Sequence, residues 1–140
     1  MKLQYAMLAL TLAMVTAAEA DVDVIVNSAY AVSKANNGDI AKVFLSKANA
    51  LPGGGTLVPV DQNDGSPART LFYSKVTGKN ASQLNAYWSK LIFTGQGQPP
   101  KAVGSDADVA ALVAKNPSMI GYVHSNAKVP GVKVIAKVAE

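Results

Sequence analysis

The chain has 140 residues and no cysteine, which excludes thiol catalysis, thiolate metal centres and disulfide staples. Histidine is almost as scarce. His124 stands alone, without an evident nucleophile partner, and reads as a surface or loop residue rather than a catalytic base. No cluster of His, Asp and Glu has metal-ligand spacing. Arg69 is the one arginine, and the lysines are dispersed without a run. The net charge is a modest +4, and the few aromatics (6%) read as core. That combination excludes nucleic acid as a partner, because such binders gather Lys and Arg beside stacking rings. Gly53-Gly54-Gly55 fits neither the Walker nor the dinucleotide pattern. The paired acids Asp21/Asp23, Asp61/Asp64 and Asp106/Asp108 read as solvated strand faces, a turn and a helix cap. With no catalytic set and no cofactor motif, a non-enzyme is expected.

Long apolar runs are absent as well. The longest, Tyr5 to about Val15, is too short to cross a bilayer core of roughly 30 Å. Lys2 precedes it, and Ala18-Glu19-Ala20 follows in the small-x-small form that signal peptidase accepts. Residues 1–20 are therefore expected to be a cleaved secretory signal, and residues 21–140 one domain of about 120 residues without a membrane span. Cleavage removes one Lys and one Glu, so the charge stays at +4. A domain of this size buries a core without staples.

What the mature segment does contain is an alternation of two hydrophobic periods. Val22, Val24 and Val26 recur at every second residue and predict a strand. Ile40, Val43 and Phe44 share one face of a short helix after Asn37-Gly38-Asp39. Thr56 to Val60 predicts a second strand, with Pro59 placing it at an edge or near its end. Asp61 to Ser66 reads as a polar loop, and Pro67 to about Val76 as a helix. Leu84, Tyr87, Trp88, Leu91 and Ile92 form a continuous apolar stripe on the clearest helix, capped by Asn80 with Gln83 and closed by Gly95. Gly95 to Pro100 reads as an exposed loop. Ser105 with Asp108 opens another helix, and Met119–Val123 and Val132–Ile135 predict two further strands. Strands alternating with helices predict an α/β domain with a partly parallel sheet.

One constellation carries binding chemistry. In Asp64-Gly65-Ser66-Pro67-Ala68-Arg69, Ser66 is an N-cap and Pro67 suits the first helical position. Gly65 lets the backbone come close. The first-turn N–H groups, the helix dipole and the Arg69 fork could together face an oxyanion. The same residues also fit a well-capped helix with a solvent-facing arginine.

The order Asp64-Gly65-Ser66, Phe72, Tyr87-Trp88, Phe93-Thr94-Gly95, Pro99-Pro100, Ser105, Val113, Asn116-Pro117 and Ile120-Gly121-Tyr122 resembles the periplasmic phosphate-binding proteins of ABC transporters. The likeness runs from about Ile40 to Val123. Its most specific part is Asn116 to Val123, similar to the family's N-P-G-A-I-G-Y. The resemblance implies one lobe of a periplasmic-binding-protein fold, a mixed sheet flanked by helices. It also implies a bacterial, periplasmic protein whose ligand is inorganic phosphate or a similar small anion. Asp64, Gly65 and Ser66 match the family's R-x-D-G-S-G-T segment, while Gln62, Pro67 and Ala68 depart from it. Asp64, Gly65, Ser66 and Arg69 are the expected ligand contacts. The rival expectation is a structural or adaptor protein of a cell-envelope assembly, with an envelope partner or as a homo-oligomer. It would keep the lobe fold without binding a ligand.

Overall fold

The computed structural model describes residues 21–127 and 129–140, so the expected signal segment lies outside the described residues. Five strands and four α-helices follow the chain. They are β1 (Val22–Asn27), α1 (Asn37–Phe44), β2 (Val58–Gln62), α2 (Pro67–Phe72), α3 (Ala81–Phe93), β3 (Lys101–Gly104), α4 (Asp106–Lys115), β4 (Met119–His124) and β5 (Val132–Val138). A π-helical turn, Tyr73–Thr77, continues α2, and a short 3₁₀ turn, Ser125–Ala127, follows β4.

The sheet has the order β3-β2-β4-β1-β5. β2 runs parallel to β3 and to β4, as strands joined by helical crossovers do, whereas β1 is antiparallel to both β4 and β5. The result is a mixed five-stranded sheet with helices on both faces. Val22, Val24 and Val26 pack with Ile40, Phe44, Phe72, Leu84, Trp88 and Tyr122, which places α1, α2 and α3 on one side. Ile25, Val60 and Val123 pack with Val109, Ala110 and Val113 of α4 on the other. At the centre of the first layer Phe72 stacks on Tyr122 at 4.2 Å between ring centres, and Phe44 meets Phe72 edge-on at 4.6 Å. Such pairs add about 0.5–1.5 kcal/mol each beyond simple burial.

Several expectations are corrected by this arrangement. All six residues of β1 are buried, because the strand is interior and covered on both faces. Asp23 therefore lies inside the protein rather than on a solvated strand face. Asp61 and Gln62 belong to β2 and are buried, where a polar loop was expected. β2 is an inner strand. Pro59 is accommodated near its start, before the pairing with β3 begins at Val60. β3 is a four-residue edge strand that lacks an apolar alternation, and it lies just beyond the expected loop. On α3 the stripe is buried only at Leu84 and Trp88. Ile92 and Phe93 stand out of the core, 55% and 92% exposed.

Candidate functional site

The carboxyl end of β2, the start of α2 and the end of β4 meet at one polar cluster. Gly65 takes φ +84°, a left-handed conformation that a side chain would strain, and this turns the chain out of β2. Ser66 follows in an extended conformation and caps α2 by accepting the Arg69 N–H at 3.3 Å. Pro67 has no N–H, and the Thr70 N–H bonds the Ser66 carbonyl at 3.1 Å. Fewer main-chain donors thus remain in front of this helix than the four that a bare helix start would offer.

Arg69 folds back over the turn. Its Nη1 lies 3.3 Å from Asp61 Oδ2 and donates to the Gln62 carbonyl at 3.0 Å, and its Nη2 lies 3.4 Å from Asp64 Oδ1. The guanidinium also sits 5.4 Å above the Tyr73 ring. These contacts are unequal. Asp61 is 2% exposed and Asp64 97%, so the Asp61 pair is desolvated while the Asp64 pair is screened by water.

Asp61 gathers the rest. Tyr73 donates its hydroxyl at 2.7 Å, Tyr122 donates to the other carboxyl oxygen, and the Gln62 N–H bonds that same oxygen at 2.9 Å. Burial pushes the phenol pKa of both tyrosines upward, and the neighbouring Asp61 charge adds to the rise. Gln62, where the resembled segment has arginine, is saturated. Its amide nitrogen donates to Asp106 Oδ1 and to the Tyr122 carbonyl, both at 2.8 Å, and its amide oxygen accepts from Ser66 Oγ at 2.6 Å. Asp106 in turn holds His124, through the backbone N–H at 3.1 Å and through Nδ1 at 2.7 Å. Burial works to raise the Asp106 carboxyl. Hydrogen bonds from His124 and Gln62 outweigh it and hold the group below its ordinary value.

The four expected contacts, Asp64, Gly65, Ser66 and Arg69, are brought together at the α2 start. They share a shallow depression of about 390 Å³ or lie beside it, and Gly104, Ser105, Asp106 and His124 also line it. Asp61, Gln62, Tyr73, Tyr122, Asp106 and His124 complete the cluster and were not anticipated. Asp61 lies 61 residues from Tyr122, and no local pattern announces a bond over that separation. His124, expected to be a surface or loop residue, lies partly exposed at the end of β4 and is oriented by Asp106.

Chemically the cluster is a closed circuit. Three carboxyl groups (Asp61, Asp64 and Asp106) surround one guanidinium and one imidazole. At 4 Å near a protein surface each like-charge contact with an added anion costs about 4 kcal/mol before screening. Ser66 gives its hydroxyl proton to Gln62, and Ser105 gives its own to Asp108. No group of three or more metal-ligating side chains occurs among the described residues.

No family model matches the chain, and no curated protein matches it in sequence. Solved structures do match the fold. One is described as a phosphate ABC transporter substrate-binding protein from Clostridium perfringens, with phosphate bound. It is 20% identical at a TM-score of 0.65, over 83% of this chain and 45% of that one. An ABC-type phosphate transport receptor from Vibrio cholerae is 17% identical at 0.65, over 83% and 46%. PstS from Borrelia burgdorferi is 13% identical at 0.63, over 84% and 48%. The chain therefore has the fold of a single lobe of a periplasmic binding protein. It spans less than half the length of each of these structures.

Proposed function

We propose that this chain is an exported, periplasmic, non-catalytic lobe of the phosphate-binding-protein type, and that it works as an interaction or adaptor module of the cell envelope. The observation that carries this reading is the filled anion grip. Gln62 stands in the place of the family's arginine with its amide fully bonded, and Arg69 is already neutralised by Asp61 and Asp64. The solved neighbours, one of them with phosphate bound, support the fold and the class of protein. Envelope extract passed over the immobilised protein, with light scattering of the free protein, tests the role. A specific envelope partner or a stable oligomer is expected. A strict monomer that retains no partner would sink the proposal.

A second reading follows from the exposure of the turn itself: phosphate or a similar oxyanion contacts Asp64, Gly65, Ser66 and Arg69. The left-handed Gly65 and the weak, water-screened pair of Arg69 with Asp64 favour it. A ligand that binds only the folded state raises stability by RT ln(1 + [L]/Kd). Thermal melts in millimolar phosphate and sulfate therefore separate the readings. The adaptor reading expects no saturable rise. A saturable rise that Arg69→Ala abolishes would instead establish the oxyanion site.

A further inference from the structure

Adjoining the polar cluster, and sharing Asp64, Gly65 and Arg69 with it, lies a cavity of about 290 Å³ between the π-helical end of α2 and the first turns of α3. Tyr73 and Leu84, both buried, give it apolar surface. Arg69 and Lys79 supply two cations, of which Arg69 is already paired with Asp64, on the lining, and with the buried Asp61. Lys79 has no carboxylate partner among the described residues. Its ammonium lies 5.1 Å from the centre of the Tyr87 ring, a contact that holds the side chain in place without cancelling its charge. The α3 first turn contains no acidic residue, and its cap is made by the neutral amides of Asn80 and Gln83.

We infer that this cavity is a binding site for a small organic anion, with its oxyanion head at Lys79 and its apolar body against Tyr73 and Leu84. The electrostatics favour an anion at Lys79, because no described carboxylate pairs with it, whereas Arg69 is already held by Asp61 and Asp64. The apolar wall favours a body beyond a bare inorganic ion. At roughly 30 Å³ per water the volume equals about ten waters, which sets the ligand at about ten non-hydrogen atoms. Asn80 and Asn85, also on the lining, offer amides to the head group. π-Helical turns gather at functional sites in proteins generally, and here one forms a wall of the cavity. The cavity shares Asp64, Gly65 and Arg69 with the turn, while Lys79, Leu84 and Asn85 take no part in that cluster and distinguish the two sites.

Amide shift mapping by NMR on the isotopically labelled protein tests it, with phenyl phosphate and benzoate as probes and inorganic phosphate as the bare-head comparator. Both organic anions are expected to move the amides of Ser74 and of residues 79–85 saturably, and more strongly than inorganic phosphate does. Lys79→Gln is expected to weaken them about fivefold, the scale of one exposed ion pair. Shifts that do not saturate, or that Lys79→Gln leaves unchanged, overturn the assignment. So does movement confined to Ser66, residues 104–106 and His124, a result that would favour the oxyanion reading of the turn instead.

Discussion

Asp61 is the residue on which the polar cluster depends. Two tyrosine hydroxyls, a backbone N–H and the Arg69 guanidinium all converge on its carboxyl group. Asp61→Ala strands these donors without the carboxylate they share. The expected loss is about 3–5 kcal/mol, the range for removing one partner of a buried pair, read from urea unfolding. Asp106 gives a prediction in pH. Its carboxyl is held below the ordinary 3.8, so its stabilising contribution is complete above that value and fades as pH falls through the folded-state value. Stability of the wild type should therefore drop more steeply below about pH 4 than that of Asp106→Asn, by urea midpoints at successive pH values. Neither role was legible in the sequence. Ser66, Pro67 and Arg69 announce a capped helix locally, whereas the partners of Asp61 and Asp106 arrive from strands and helices brought alongside by the fold. A buried Asp in a chain this polar at 61–66 looks like any turn residue until its partners are known.

At the level of elements, caps and periodicity were the strongest guides. The reciprocal Asn80–Gln83 box is present at 2.9 and 3.0 Å, and the Ser105–Asp108 box opens α4. Asn80→Ala should cost about 1 kcal/mol, measurable as a lowered melting temperature. Short apolar runs were legible as strands, but their depth was not, since alternation cannot tell an interior strand from a half-exposed one. β3 escaped because four residues beginning with Lys101 and ending in Gly104 carry no usable pattern. β4 and α4 also approach closely at Gly121. A Cβ on Gly121 would come within 2.5 Å of Val109 Cγ1. Gly121→Ala should overpack that layer at a cost of about 1–3 kcal/mol, again by denaturant unfolding.

For the molecule as a whole, the apolar surface is unevenly spent. Phe93 and Ile92 project from the end of α3, while Leu84 and Trp88 of that helix's stripe are buried. Large exposed apolar side chains side by side are characteristic of contact surfaces. Phe93→Asp should leave the melting temperature almost unchanged, within about 0.5 kcal/mol of stability, because the ring touches little of its own protein. The same variant should lose any partner captured by the wild type, which the envelope pull-down measures. The pairing of β1 with β5 has a further effect. Val22 faces Val138, and Glu140 reaches Asp21 through its backbone N–H at 3.3 Å. The two ends of the described fold thus emerge at one corner. Joining them through a short linker and reopening the chain in the Gly53–Gly55 loop should give a circular permutant with the same sheet. By the same geometry the unit could be spliced into a host protein's loop as a cassette, with little disturbance to either partner.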